Sequence, residues 1–125
     1  MNLVLIALGG ALGSVARYLS VSWVGRAMGL SFPYGTMFVN VLGSFLMGVA
    51  AALLIERLGA PSRFAPFVMT GFLGGFTTFS AFSLDSYALI ENGRMAAMIA
   101  YAVLSVLLSL IALIAGMTLA RMVTS

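Results

Sequence analysis

The residues that could do chemistry lie closest together between Gly71 and Ser83, inside a long apolar stretch of the chain. Gly74 and Gly75 are adjacent there, and each glycine weakens a helix by about 1 kcal/mol. β-Branched and aromatic residues follow immediately, so the pattern favours a break in a helix near Gly74–Thr78. A break within a membrane is tolerated where it lines a cavity or binds an ion. Carbonyl groups freed near Gly74 and Thr77 could therefore hold a small cation.

The same segment carries hydroxyl groups and two closely spaced phenylalanines. Phe79 and Phe82 are three residues apart, so they share one face of any helix that resumes after the break. A phenyl ring is positive at its edge, and a ring presented edge-on can contact an anion. The alternative is that both rings are ordinary apolar filler, which is the commoner case. The hydroxyl groups can both donate and accept hydrogen bonds, and they belong to Thr77, Thr78, Ser80 and Ser83.

Three further polar residues lie within apolar stretches, and each has two interpretations. Asn40 could hydrogen-bond a neighbouring helix or offer its NH₂ group to an anion, because an amide in hydrocarbon must find partners. Arg17 could anchor a helix near the membrane surface or line an aqueous entrance that attracts anions. Asp85 is near the end of its stretch and could pair with an arginine of this or another subunit.

The elements that must position these residues follow from composition. The chain has 125 residues, of which 62% are hydrophobic and only 7% charged, whereas soluble domains have about a quarter charged residues. Cysteine and histidine are both absent, which removes thiolate chemistry and the usual metal ligand and general base. These absences argue against an enzyme, and nothing in the pattern indicates nucleic-acid binding.

Four stretches are long enough to cross a bilayer as helices, since about 20 apolar residues suffice. They cover residues 3–28, 34–55, 64–90 and 95–120 of what we expect to be one domain, residues 1–125. The fourth is closed by Arg121. The N-terminus lacks the basic start of a signal peptide, so we expect the first span to be retained. The sequence thus predicts an all-α membrane protein, with neighbouring helices antiparallel because the connecting loops are short.

Small residues form stripes along these spans, which is typical of helix contact faces in membranes. The stripes are Gly9, Gly10, Gly13, Ala16 and Ser20 in the first span, Thr36, Asn40, Gly43, Ser44 and Gly48 in the second, and Ser105, Ser109, Ala112 and Gly116 in the fourth. Arginines at or beyond the span ends divide almost evenly between the two sides, so they set orientation weakly. This leaves two interpretations open, a single orientation and a dual topology in which copies insert both ways. Three arginines fall on one side and two on the other: Arg57, Arg63 and Arg121 against Arg26 and Arg94.

Taken together, these motifs resemble the Fluc/CrcB family of fluoride channels across all four spans. The first span reads Gly9-Gly10-Ala11-Leu12-Gly13-Ser14-Val15-Ala16-Arg17, and the second carries Pro33-Tyr34-Gly35-Thr36 and Asn40-Val41-Leu42-Gly43-Ser44. The third carries the most specific signature, Gly74-Gly75-Phe76-Thr77-Thr78-Phe79-Ser80-Ala81-Phe82-Ser83, followed by the Glu91-Asn92-Gly93-Arg94 turn. One departure is Ala81, where the family often has threonine. The fourth span carries fewer family markers.

The resemblance implies an antiparallel dual-topology homodimer with two fluoride pores, which export fluoride passively across the inner (plasma) membrane. It implies a structural sodium ion at the dimer centre, held by the backbone carbonyls of Gly74 and Thr77. It places Arg17 at an aqueous vestibule. The partners would be fluoride, a second copy and the lipid bilayer. The pore residues implied are Asn40, Phe79, Ser80, Phe82 and Ser109.

Two other functions fit a small four-helix membrane chain. A small dual-topology multidrug transporter needs a carboxylate within the membrane to exchange protons for cationic drugs. Asp85 is the only acid inside a predicted span, and it lies near the end. A non-transporting scaffold subunit would explain the small-residue stripes, but it would leave the hydroxyl groups and phenylalanines of the third span without a purpose.

Overall fold

The computed structural model describes residues 2–57 and 64–124, and helices joined by short non-helical segments form the fold in these ranges. Two segments have the wider turn of a π-helix, Ala51–Arg57 and Pro66–Leu73. No strand occurs in the described ranges. The α-helices are α1 (Asn2–Met28), α2 (Tyr34–Ala50), α3 (Gly74–Phe76), α4 (Phe79–Glu91) and α5 (Met95–Thr124).

Four helical stretches are long and apolar enough to cross a membrane, which confirms the predicted all-α, four-span architecture. They cover Leu3–Met28, Tyr34–Glu56, Pro66–Glu91 and Met95–Thr124. The fourth helix continues beyond residue 120, the predicted end of its span, and includes Arg121. This arginine is held by Glu56 at the end of the second stretch, with Nε–Oε1 and Nη2–Oε2 distances of 2.8 and 2.5 Å.

The second span lies between the first and the fourth, and glycines allow the close approach. A Cβ atom on Gly48 would overlap the carbonyl oxygen of Leu113, and one on Gly116 would overlap that of Phe45. On α1, Gly9 and Gly13 face the backbone of the Pro66–Leu73 segment in the same way. The small-residue stripes therefore act as helix contact faces, where short separation gives close van der Waals packing in the absence of a hydrophobic driving force.

The third span is interrupted at Thr77 and Thr78, within the predicted interval but after the two glycines. Thr77 has φ −89° and ψ 159°, and Thr78 has φ −153° and ψ 125°. Both are extended conformations. The half before the break packs on α1, and α4 after the break packs on α5. The span therefore passes across α2 and leaves the break beside the middle of that helix.

Candidate functional site at the helix break

Asn40 joins α2 to the broken third span. Its Nδ2 donates to the carbonyl oxygen of Thr78 at 2.9 Å, and its Oδ1 accepts from the backbone N–H of Thr78 at 2.7 Å. The side-chain amide thus pairs with both backbone polar groups of one residue in the break. Since an unpaired peptide group in the membrane interior is costly, Asn40 stabilises the extended conformation.

The hydroxyl groups of the two threonines cap the helix ends on either side. Thr77 donates from both N–H and Oγ1 to the carbonyl of Leu73, at 3.0 and 2.9 Å. Thr78 is the N-cap of α4, and its Oγ1 accepts from the N–H of Ala81 at 3.1 Å. This is the usual function of threonine at a helix start. The N–H groups of Thr77, Thr78 and Ala81 therefore all have partners at the break.

An open groove of about 310 Å³ lies beside the break, between α2, α4 and α5. It is apolar over most of its wall, with an amide and several hydroxyl groups at separate points. Sites for small ligands commonly have this composition. Its polar lining residues are Asn40, Ser44, Thr77, Thr78, Ser105 and Ser109, and its aromatic ones are Phe79 and Phe82.

The two phenylalanines predicted to share a face do so, at the start of α4. Their ring centroids are 5.5 Å apart with the planes tilted by 40°. Phe82 also contacts Tyr101, at 5.1 Å, and Tyr101 meets Phe32 edge-on at 5.5 Å. Phe79 is 78% exposed in the single chain. A continuous row of rings therefore runs from the break toward the loop between α1 and α2.

Ser105 is the one buried side chain in the described ranges whose polar atom has no hydrogen-bond partner. It is 6% exposed and lines the groove, one turn before Ser109 on the same face of α5. An unsatisfied hydroxyl group costs about 1–3 kcal/mol in a protein interior. The residue lies on the groove wall, although its Oγ is itself buried in the single chain. The sequence placed Ser105 only in the small-residue stripe of the fourth span and named Ser109 as the site residue, because burial cannot be seen in the sequence.

Three other predicted site residues lie around the break without lining the groove. Arg17 reaches it from α1, and its Nε donates to the carbonyl of Gly75 at 3.0 Å. Ser80 is exposed in the first turn of α4, and its hydroxyl group lies 3.3 Å from that of Thr78. Gly74 is also exposed, in the last turn before the break. The vestibule, pore and sodium-binding roles of these residues stay predictions.

Asp85 pairs with a tyrosine of its own chain, and an arginine of another subunit as a further partner stays a prediction. Among the described residues, its Oδ2 accepts from the hydroxyl group of Tyr101 at 3.2 Å. Tyr101 is completely buried. The hydrogen bond from Tyr101 to Asp85 could not be predicted from the sequence, because the two residues meet only when α4 and α5 pack together.

The fold and the groove define a multi-pass membrane protein with a broken third span that brings an amide, hydroxyl groups and phenyl rings together. The chain belongs to the CrcB-like protein (Camphor Resistance) family, which it matches over residues 4–117. This confirms the resemblance seen in the sequence motifs.

Close relatives cover almost the whole chain. A protein of Rhizobium meliloti is 50% identical over 120 residues, and one of Cereibacter sphaeroides is 55% identical over 120 residues. A protein of Hahella chejuensis is 46% identical over 122 residues. The alignments cover 96–98% of this chain and 94–96% of the relatives. All three relatives are named fluoride-specific ion channel FluC, the name of a channel and not of an enzyme.

Proposed function

We propose that this protein is a fluoride-selective channel that lets fluoride leave the cytoplasm passively across the inner membrane. The observation that carries the proposal is the groove at the helix break, where neutral hydrogen-bond donors and phenyl rings converge without a charged side chain on the wall. The names of the full-length relatives identify the ion. The groove explains how an anion would be held.

Fluoride is small and strongly hydrated, so a pore must replace its water with several close donors of partial positive charge. Asn40 has two amide hydrogens and uses one for Thr78. The hydroxyl group of Ser105 is uncommitted, and Ser109 adds another donor along α5. The edges of Phe79 and Phe82 are weakly positive. Several weak sites favour passage, because a fully cationic pore would hold the ion too tightly to release it.

The functional unit in this proposal is an antiparallel dual-topology homodimer. The groove is open on one side in the single chain, and the ring of Phe79 is 78% exposed. A second copy placed over the break would close the groove and cover this ring. The nearly equal numbers of arginines at the two ends support insertion in both orientations. Two related grooves per dimer would give two pores.

A sodium ion at the dimer centre suits the backbone of the break. In a continuous helix, the carbonyls of Gly74 and Thr77 would accept from the N–H groups of Thr78 and Ala81. Both N–H groups are diverted here, the first to Asn40 Oδ1 and the second to Thr78 Oγ1. Two carbonyls thus lose their helical donors, and unwound carbonyls of this kind bind Na⁺ in membrane proteins. A second copy would contribute the equivalent pair.

Arg17 and Ser80 have supporting functions in the proposal. The guanidinium group of Arg17 is held near the break by the carbonyl of Gly75, where its charge would attract anions toward the vestibule. Ser80 stands in the exposed first turn of α4, next to the Thr78 hydroxyl group. It would extend the row of donors toward the partner subunit.

The alternative of a multidrug transporter is not favoured by any contact. Such a transporter needs a free carboxylate facing the transport path. Asp85 accepts from Tyr101 and does not line the groove. A scaffold subunit would have no use for the uncommitted hydroxyl group of Ser105.

The first test is ion efflux from liposomes that contain the purified protein, followed with a fluoride electrode and repeated with chloride. Rapid fluoride release without chloride release is expected. Phe82→Ile should reduce fluoride efflux at least tenfold, because the ring edge is lost while apolar volume is largely kept. Phe72→Ile is the matched control, since that ring stacks on Phe76 outside the groove. No fluoride release from folded, dimeric protein would contradict the proposal.

A further inference from the structure

A second groove lies on the opposite face of α2 from the break. The stripe of Phe38, Val41, Leu42 and Phe45 faces it, with the spacing that places residues on one helix face. The groove has a volume of about 720 Å³ and is bounded by α1 and α5. Its wall carries almost no polar atoms. Because the break and Asn40 lie on the other side of α2, the proposed dimer contact would leave this groove uncovered.

A neighbouring groove of about 520 Å³ adjoins the apolar one and provides a polar end. The two share Trp23, Phe38 and Leu42 on their walls. The polar end adds the hydroxyl group of Ser22 and the guanidinium group of Arg26. A ligand that spans both grooves would therefore have one long apolar part and one polar end near a cation.

The charge of Arg26 is uncompensated within the described chain. Arg17, Arg94 and Arg121 each donate a hydrogen bond, whereas Arg26 donates none to a described residue. None of the three acids of the protein pairs with Arg26 in the described chain. Glu56 pairs with Arg121, and the other two accept from tyrosine hydroxyl groups, Asp85 from Tyr101 and Glu91 from Tyr87.

This cation also lies at the depth of lipid headgroups. Arg26 is two residues before the end of α1 at Met28, or about 3 Å along the helix axis. Trp23 is one turn deeper and 66% exposed. Tryptophan is enriched at the boundary between hydrocarbon and water, and arginine near that boundary attracts anionic lipids.

We propose that the two grooves form a binding site for an anionic phospholipid. Its phosphate would contact Arg26 and the hydroxyl group of Ser22, and one acyl chain would lie in the apolar groove against Phe38 and Leu42. A net negative headgroup is favoured over a zwitterionic one, because no carboxylate forms an ion pair with Arg26 in the described chain. The proposal depends only on the membrane fold and is separate from fluoride transport.

The single tryptophan of the chain makes the site directly measurable. Trp23 belongs to both grooves, so a bromine atom on a bound acyl chain would quench its fluorescence. The full-length protein is reconstituted in zwitterionic phosphatidylcholine, and brominated phosphatidylglycerol or brominated phosphatidylcholine is added at equal mole fractions. We expect the anionic lipid to compete for the site about fivefold better, the effect of one arginine near an anionic headgroup.

Arg26→Gln should remove this preference, so that both brominated lipids quench equally. Arg94→Gln is the matched control, because it removes a charge at the same end of the bundle, where Arg94 donates to the Ser31 carbonyl, away from the grooves. It should keep the fivefold preference. Equal quenching by both lipids in the unaltered protein would overturn the proposal. So would absence of quenching by either lipid, which would mean that a second copy or another protein covers Trp23.

Discussion

Replacing Asn40 by alanine tests the stabilisation of the helix break most directly. The variant would leave both backbone polar groups of Thr78 without their partners, which lie 2.7 and 2.9 Å away in the native protein. Each unpaired buried group costs about 1–3 kcal/mol in proteins generally, while side-chain hydrogen bonds in membranes average about 0.6 kcal/mol. The two bonds together should therefore contribute roughly 1–4 kcal/mol to the free energy of unfolding.

Asn40→Asp tests the neutral hydrogen-bond donor at this position. Aspartate keeps an acceptor for the Thr78 N–H, but it loses the donor to the Thr78 carbonyl and turns a carboxylate oxygen toward that carbonyl oxygen. A carboxylate at membrane depth also costs about 3 kcal/mol. The aspartate variant should therefore be no more stable than Asn40→Ala, and its negative charge on the groove wall should lower fluoride efflux further.

The assay combines thermal unfolding in detergent, followed by the fluorescence of Trp23, with fluoride efflux from liposomes. Asn92→Ala is the control, since Asn92 is an exposed residue in the turn after α4. It hydrogen-bonds within the described chain through its backbone N–H, which alanine keeps. The control should unfold at the native temperature. If Asn40→Ala also unfolds at the native temperature, the pairing with Thr78 does not hold the break, and the argument for Asn40 is refuted.

Four other substitutions have definite expected outcomes. Gly48→Ala should lower the free energy of unfolding by about 1–3 kcal/mol, since the added methyl group overlaps the backbone of α5. Gly74→Ala should be tolerated, because its methyl group would meet no atom closer than 3.6 Å. Equal thermal stability of the two variants would contradict the packing argument. Thr78→Val should cost about 1 kcal/mol by removing the N-cap of α4, and unfolding unchanged from the native protein would show that the cap is dispensable. Glu56→Gln should leave the unfolding temperature unchanged in high salt, because the ion pair of Glu56 with Arg121 is exposed and is screened by salt. A large fall in the unfolding temperature at high salt would contradict this expectation.

The sequence was sufficient for the features that depend on local pattern. Apolar stretches of about 20 residues predict membrane-spanning helices, because a soluble protein could not build its surface from so few charged residues. The break followed from Gly74 and Gly75 with threonines immediately after them. It falls at Thr77 and Thr78 because their hydroxyl groups cap the two helix ends, so the glycines loosen the helix while the threonines determine where it stops.

Features that depend on contacts between spans could not be predicted in the same way. Ser105 is one of two serines on α5, and only the packing of α2 against that face makes it buried and unpartnered. The sequence left Asn40 with two interpretations, and the structure shows the hydrogen bonds to a neighbouring span while keeping the residue on the groove wall. Tyr101 could not be identified as a partner of Asp85 from the sequence, because it lies 16 residues away on the next helix and meets Asp85 only when the helices pack.

The interruption at Thr77 and Thr78 also affects how the protein is made. Neither half of the third span has more than 13 residues of regular helix, too few to cross a bilayer alone. As the nascent chain leaves the ribosome, this span would enter the membrane with two threonines at its centre and unpaired peptide groups. Asn40 belongs to the preceding span and is already in the membrane at that moment. Because the second span is synthesised first, the Asn40 amide would be in place before the peptide groups of Thr78 enter the membrane. The second span would thus act as an internal template for insertion of the third.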